Sequence, residues 1–329
     1  MNKNQSTMKV CSLLPSGTEI LFALGLGDQI IGITDLCDYP EETFHKRIVC
    51  RSKIDVNKLS SKQVDEAMHK ILESGESPYE LDAEWLSANS PDVILTQDLC
   101  YFCEIDATTV HKHVHGIADM PEIVVLNPKS LNEIFDSIIQ VGAACSQSTK
   151  AMNLVDALQQ RVQNIRDHLS GNIKFPRVFS LEGINPLVIG GHWIPDLLQE
   201  GGGNRTLDPP GSPARRPEWQ EIVNYAPEKL FIDLCSSDLN RQQREIPWLF
   251  NQPGWWDIPA VKSGEVYMID HVYFSRPGPR IVIGLEIIAE LTHPSLFGGM
   301  VPPGTVMKFN PDEALSLSGT NIASSFHPY

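Results

Sequence analysis

The amino-acid sequence predicts an α/β protein in which two Rossmann-like lobes are joined by one long α-helix. Three observations favour this fold. Strand-like runs alternate with amphipathic segments in the first half, the alternation resumes in the second half, and an uninterrupted helical pattern separates the halves. Such alternation is typical of mostly parallel sheets. We therefore expect an N-terminal lobe at 8–147, a linker helix at 148–171, a C-terminal lobe at 172–298 and a tail at 299–329.

The first lobe opens with a strand, a turn, a helix and a second strand. KVCSLLP and QIIGITDL are strand-like, and TEILFALGL between them has apolar residues at helical spacing. The turn contains Pro15 and Ser16, and a helix that begins there presents its first backbone amides to a ligand. Later in the lobe, DVILTQ and EIVVLN are predicted strands, because short β-branched runs suit strands buried on both faces. Residues 61–74, residues 81–88 and LNEIFDSIIQVGAAC are predicted helices.

The linker is predicted from residues 150–169. Apolar side chains recur there every three or four positions with no glycine or proline inside, and Gly171 supplies a stop. A helix of about 22 residues spans roughly 33 Å, which is long enough to bridge two lobes. The same pattern also suits a helix that only covers a sheet, so both interpretations stay open.

The second lobe repeats the architecture without a residue-level repeat. RVFSLEGI, PLVIGG, KLFIDLC and EVYMID are predicted strands, and IPDLLQEGG and RIVIGLEIIAELTHP are predicted helices. Beyond Phe297 the chain is rich in Gly, Pro and Ser. We expect this tail to be loosely ordered or to lie over the surface.

Composition excludes several classes of partner. The chain has 329 residues, of which 42% are hydrophobic and 20% are charged, as is ordinary for a globular protein. Its formal net charge of -15 argues against a nucleic-acid partner and against anionic membrane surfaces. No run of about 18 apolar residues occurs, so no transmembrane segment is expected.

The N-terminus bears on the expected compartment. MNKNQSTMKV is polar and lacks the apolar stretch of a secretory signal. As given, the sequence predicts a cytoplasmic protein, and a periplasmic or extracellular location would follow if a leader had been removed. Disulfides are rare in a reducing compartment, so clustered cysteines are interpreted as free, metal-binding or redox-active.

Five segments together resemble one known family. They are SLLPSGTEILFALGL at 12–26, DYP at 38–40, PDVILTQ at 91–97, GINPLVIGGHWIPDLLQEGGGN at 183–204 and YFSRPGPRIV at 273–282. In order and spacing they resemble the cobalamin (vitamin B12)-binding substrate-binding proteins of ABC transporters, over about residues 8–297. The resemblance implies a class III periplasmic-binding-protein-like fold and a non-enzymatic protein that holds a corrinoid, or a related metal chelate, in a cleft between the lobes. It also implies an ABC-transporter permease as partner if the protein is exported.

The candidate ligand site follows from the strand-end loops. Ligands of open α/β sheets collect beyond the carboxyl ends of the strands. A planar corrin needs aromatic faces and a few hydrogen-bonding groups, and arginines could clamp a carboxylate or phosphate. The candidate ligand-binding residues are Pro15, Ser16, Tyr39, Arg51, Gln97, Glu182, His192, Trp193, Arg215, Arg216, Tyr273, Phe274 and Arg276.

The cysteines suggest a second hypothesis. Cys100 and Cys103 form a C-x2-C pair after a strand, and Cys37 follows the neighbouring strand. With His192 they would make a zinc site, and the three thiolates alone could hold an iron–sulfur cluster. The alternative function is therefore a metal- or cluster-dependent enzyme in which Glu182 and His192 act on an anionic substrate. The other cysteines are predicted to be packing residues: Cys11, Cys50, Cys145 and Cys235.

Overall fold

A computed structural model describes residues 8–56, 58–98, 105–114, 120–204, 206–317 and 319–329. The chain divides into two compact units. Unit 1 comprises Met1–Asp55, Glu66–Pro128 and Asn132–Leu158, and unit 2 comprises Val56–Asp65, Lys129–Leu131 and Gln159–Tyr329. None of the helices in the described ranges is long and apolar enough to cross a membrane.

The first half of the chain alternates strands and helices as predicted. In order these are β1 (Val10–Ser12), α1 (Pro15–Ala23), β2 (Ile30–Thr34), β3 (Ile48–Ser52), α2 (Ser61–Glu73), β4 (Tyr79–Leu81), α3 (Ala83–Asn89), β5 (Val93–Thr96), α4 (Ala107–Val114), β6 (Glu122–Val125) and α5 (Leu131–Ala144). The strands form a six-stranded sheet in the order β4-β3-β2-β1-β5-β6. All pairs are parallel except β3 with β4.

The strand order of unit 1 reverses at one point of the sheet. The chain proceeds outward from β1 through β2 to β3, and later from β5 to β6 on the other side. The order therefore reverses between β1 and β5, and ligands of open α/β sheets bind beyond the strand ends at such a point. Both strands are fully buried, which is why their sequences read as continuous apolar runs.

The long helix predicted between the halves is confirmed as α6 (Ser148–His168). It begins in unit 1 and ends in unit 2, so it links the two units. Its buried positions follow the predicted spacing of three and four: Ala151, Val155, Leu158, Val162 and Ile165.

The second half forms a second six-stranded sheet. Its elements are β7 (Val178–Ile184), β8 (Leu187–Ile189), α7 (Ile194–Glu200), α8 (Trp219–Tyr225), β9 (Lys229–Ile232), α9 (Leu239–Phe250), α10 (Pro259–Lys262), β10 (Val266–Ile269), α11 (Ile281–Thr292), β11 (Val306–Phe309), α12 (Pro311–Ser316) and β12 (Phe326–Pro328). The order is β12-β11-β10-β9-β7-β8. The central strands β7, β9 and β10 are parallel, and the outer strands pair antiparallel.

The C-terminal residues differ from the expected tail. Residues 306–309 and 326–328 are strands of the second sheet, with Tyr267 opposite Lys308 and Phe309 opposite Phe326. Phe309 and Phe326 are buried and their rings lie 5.3 Å apart. The Gly- and Pro-rich composition comes from the connection before β11. It masks the sequence signal of two short strands, β11 and β12, whose buried phenylalanines hold the segment on the sheet.

Candidate functional site

The first turn of α1 follows β1, next to the point where the strand order of unit 1 reverses between β1 and β5 (the switch point). Pro15 occupies the first turn of the helix, and Leu14 precedes it without a side-chain cap. A Cβ on Gly17 would lie 2.9 Å from Leu14 Cδ2, so only glycine allows this close packing. Pro15 and Ser16 are buried. Gln97, at the end of β5, is buried too and forms an isolated bridge with Asp106.

The loop after β2 carries the exposed aromatic side chain of this face. Tyr39 is 47% exposed and is joined to Pro40 by a cis peptide bond. A short 3-10 helix follows at Glu41–His45, and Phe44 within it is 69% exposed. Tyr39 therefore offers a flat apolar surface at the strand ends of unit 1.

A carboxyl group and a guanidinium lie at the ends of the neighbouring strands. Burial raises the pKa of Asp35 above its ordinary range, and the Ser52 amide, the Thr34 hydroxyl and the Arg51 charge offset only part of this effect. Arg51 is exposed on β3 opposite Glu80. Arg51 therefore lies opposite an acidic residue of β4, and its contact with an anionic ligand stays a prediction.

The predicted metal centre finds no support among the described residues. Cys37 is buried, and its Sγ lies 3.0 Å from Thr18 Oγ1. Cys100 and Cys103 lie outside the described residues. Within the described ranges no group of three His, Cys, Asp or Glu side chains could hold a metal ion.

The remaining cysteines divide into two kinds. Cys11, Cys50 and Cys145 are buried, as predicted for packing residues. Burial raises the pKa of the Cys11 thiol to about 12, so it stays protonated and unreactive. Cys235 differs, because it is only half-buried and follows β9 at the carboxyl end of that strand.

In unit 2 the β7–β8 hairpin positions Glu182 and His192. Glu182 lies within β7, and its carboxyl carbon would be 3.1 Å from a Cβ on Gly190. His192 has a positive φ of 54° and donates its amide to Ser212 O at 2.6 Å. Its Nδ1 is buried with no partner among the described residues. Burial and the charge of Lys129 lower the pKa of His192, so the imidazole is neutral at pH 7.

Two predicted ligand-contacting aromatics are instead part of the interior. Trp193 and Phe274 are buried, and Trp193 Nε1 donates to the carbonyl oxygen of Phe274 at 2.7 Å. This hydrogen bond joins the residue that precedes α7 to the loop after β10. Tyr273, next in the same loop, is half-buried and lies 5.8 Å from the guanidinium of Arg280. Arg276 in this loop is buried.

The arginine pair predicted to clamp an anion is engaged within unit 2. Arg215 Nε lies 2.9 Å from Asp208 Oδ2, and its Nη2 lies 3.0 Å from Glu221 Oε2. Arg216 forms an ion pair with Asp65. These contacts hold the loop between α7 and α8, so the two arginines are structural here.

Sequence reasoning missed the loop between β9 and α9. Asp233 is fully buried and accepts a hydrogen bond from Ser180 Oγ at 2.5 Å, while its Oδ2 has no partner among the described residues. Burial raises the pKa of Asp233 far above its ordinary range. Arg241, in the first turn of α9, is only 4% exposed. The polar run LNRQQRE gave no sign that this arginine is buried.

The chain matches one family of known proteins. The family described as periplasmic binding protein matches residues 10–273. The uncharacterized ABC transporter substrate-binding lipoprotein YvrC of Bacillus subtilis is 24% identical over 88% of this chain and 81% of the relative. A vitamin B12-binding protein of Vibrio vulnificus is 22% identical over 86% of this chain and 89% of the relative. These matches confirm the resemblance predicted from the five sequence segments.

Solved structures confirm the fold class. The periplasmic haem-binding protein RhuT from Roseiflexus sp. RS-1 superposes with a TM-score of 0.67 at 18% identity, over 88% of this chain and all of the other. The periplasmic vitamin B12-binding protein BtuF of Vibrio cholerae gives a TM-score of 0.63 at 18% identity, over 88% of this chain and 97% of the other. At this identity the likeness concerns the fold alone.

Proposed function

The chain belongs to the periplasmic binding protein family, and we propose that it is the small-molecule-binding component of an ABC importer for a corrinoid or a related metal chelate. Family membership supports a binding protein. The relatives named for vitamin B12, together with the exposed aromatic loop of unit 1, favour a large planar ligand. The observation that carries the proposal is Tyr39, a 47% exposed aromatic ring at the strand ends beside the sheet's switch point.

The chemistry of the two strand-end faces suits such a ligand. A corrin or porphyrin presents an apolar ring that stacks on aromatic side chains and a fringe of polar groups that accept hydrogen bonds. In unit 1, Tyr39 would supply the stacking surface and Arg51 a charged donor. In unit 2, the neutral imidazole of His192 retains a lone pair for a metal ion.

Binding is tested by titrating the full chain with hydroxocobalamin, cyanocobalamin and haemin, followed by calorimetry and by the visible spectrum. We expect saturable binding of at least one of them. Replacing Tyr39 by alanine should weaken it about 2- to 12-fold, because an aromatic contact contributes roughly 0.5–1.5 kcal/mol beyond area. Phe44→Ala is the matched control, since Phe44 is equally apolar and more exposed in the same loop. If Tyr39→Ala and Phe44→Ala lost the same affinity, Tyr39 would not be a specific ligand contact.

Coordination of the metal by His192 has its own spectroscopic test. If the imidazole binds cobalt, hydroxocobalamin should change its visible spectrum on binding to the wild type and not on binding to His192→Ala. An unchanged spectrum at saturating protein would show that His192 is not an axial ligand.

We further propose that the protein acts outside the cytoplasm and delivers its ligand to an ABC permease. The relatives are named as a lipoprotein and as B12-binding proteins, and the similar structures are named periplasmic. They give no support to the cytoplasmic location expected from the N-terminal residues. Fractionation of the native host, with an antibody against the chain, tests this proposal. Recovery in the cytosol alone would contradict it.

A further inference from the structure

We infer that unit 2 carries a subsite for an oxyanion, formed by the guanidinium of Arg241 beneath the loop Cys235–Ser237. The subsite deepens the proposed function, on which it partly rests: it assigns an anionic substituent, a carboxylate or a phosphate, to the ligand. Arg241 was not among the residues that the sequence singled out.

The position of Arg241 is that of a ligand-binding group. The loop follows β9, which lies between β7 and β10, the two other parallel strands of the second sheet. Ligands of such sheets bind beyond the carboxyl ends of the parallel strands. The loop itself is half-buried at Cys235 and Ser236, and Arg241 lies below it in the first turn of α9.

The guanidinium has an unused donor. Arg241 is 4% exposed, and its Nη1 donates to Ser236 O at 3.2 Å. Its Nε is buried and has no partner within the described ranges of the chain. A buried donor without an acceptor is costly, and burial also lowers the pKa of Arg241, an effect that the charges of Glu245 and Asp238 offset only in part. An anion bound at this point would remove both costs.

Two carboxylates act on the charge of Arg241 without forming an ion pair with it among the described residues: those of Glu245 and Asp238. Asp238 caps α9 by accepting from the Arg241 backbone amide at 2.7 Å. Glu245 accepts from the Ser61 amide at 2.8 Å. Neither accepts from the Arg241 side chain, so its buried Nε–H remains a donor for a ligand.

Two sources of the anion can be separated with chosen probes. Cobalamin carries a phosphodiester that cobinamide lacks, and haemin carries two carboxylates that its dimethyl ester lacks. Arg241→Gln should weaken binding of one charged probe about 10- to 100-fold, as expected for the loss of a buried charge-assisted hydrogen bond. It should leave the uncharged counterpart of that probe unchanged. Arg241→Lys, which keeps the charge, should restore part of the affinity.

Arg244→Gln is the matched control, because Arg244 is exposed on the same helix less than one turn later. If the wild type binds a probe and Arg241→Gln binds the charged and uncharged forms as the wild type does, the subsite is refuted and the proposed function stands.

A second measurement does not depend on the large ligand. Thermal unfolding of the full chain is followed in phosphate and in acetate, against chloride at equal ionic strength. One of the two anions should raise the midpoint of the wild type by roughly 2–4 °C and leave that of Arg241→Gln unchanged. Failure of every large probe to bind would refute the proposed function alone, and an equal response of both proteins to both anions would refute the subsite.

Discussion

Replacing Glu265 by glutamine should lower the free energy of unfolding of unit 2 by about 3 kcal/mol at pH 7. The Glu265 carboxylate accepts hydrogen bonds from Lys229 Nζ at 2.5 Å, Tyr267 Oη at 2.6 Å and Lys308 Nζ at 3.0 Å. These donors belong to β9, β10 and β11. One carboxylate thus bonds to side chains of three neighbouring strands, including β11, which the sequence did not predict.

The magnitude follows from the pKa of this carboxyl. Burial alone would raise the pKa of Glu265, but hydrogen bonds from Lys229, Tyr267 and Lys308 outweigh burial and lower it from 4.5 to about 2. That difference corresponds to about 3.4 kcal/mol. The side chain of Glu265 is 24% exposed and that of Lys229 only 12%, so solvent screens the pair weakly. Removing the carboxylate would also leave the Lys229 charge without its closest partner.

The same pKa sets the dependence on pH. The pKa of Glu265 is lower in the folded than in the unfolded chain, so its stabilisation is complete above about pH 5 and is lost as the pH falls toward 2. At pH 3 about 1.4 kcal/mol should remain. The glutamine side chain does not bind a proton in this pH range. The difference in free energy of unfolding between wild type and variant should therefore decrease by about 2 kcal/mol between pH 7 and pH 3.

Urea unfolding followed by tryptophan fluorescence reports this change, because five of the six tryptophans lie in unit 2. Asp257→Asn is the control, since Asp257 and Lys262 form a pair whose side chains are 78% and 59% exposed. It should change the free energy of unfolding by no more than about 0.5 kcal/mol. If Glu265→Gln lost no more free energy of unfolding than the control, or lost the same amount at pH 7 and pH 3, the Glu265 carboxylate would not stabilise the three strands as proposed.

Two further substitutions test the packing and the ion pairs. Gly142→Ala should destabilise unit 1 by about 1–3 kcal/mol in urea unfolding, because its Cβ would lie 2.3 Å from Ala151 Cβ, whereas Gly298→Ala, with nothing within 4 Å, should be neutral. Arg215→Gln, which loses two carboxylate partners, should lower the unfolding midpoint by a few degrees and leave the affinity for cobalamin or haemin unchanged. If Arg215→Gln lost affinity but not stability, Arg215 would be a ligand-binding residue, as the sequence predicted.

The elements that the sequence predicted well are those whose signal is local. β5 is a four-residue run that is buried at every position, and α6 has a regular apolar spacing over 21 residues. The turn before α1 combines Pro15 at the helix start with Gly17, where no Cβ fits. In each case the short-range pattern and the tertiary environment favour the same structure.

The elements that were missed depend on distant residues. α9 contains Pro247 and many polar side chains, yet Ile246, Leu249 and Phe250 are buried against the second sheet. β12 is three residues long and is held by its pairing with β11 and by the buried ring of Phe326. β12 is too short to give a periodic signal, and the first half of α9 is mostly polar, so the sequence predicted neither element.

The aromatic residues show a similar limit for the site. Trp193, Phe274 and Tyr39 are of one residue class, and each follows a strand or hairpin at a predicted loop. The structure buries Trp193 and Phe274 and exposes Tyr39. Residue type predicts which side chains could stack on a ligand, but the packing of neighbouring elements decides which faces remain open.

The arginines give the clearest physical criterion for a binding residue in this chain. The sequence has 41 acidic and 26 basic side chains. Several guanidinium groups in the described ranges pair with a carboxylate, among them those of Arg47, Arg161 and Arg166. Arg215 and Arg216, conspicuous in sequence, do so. Arg241 is inconspicuous in sequence, yet it is buried without a carboxylate partner among the described residues. In an acidic protein a clustered arginine is thus weak evidence for an anion site, whereas a buried guanidinium with an unpaired donor is stronger evidence, because a ligand anion would accept a hydrogen bond from that donor.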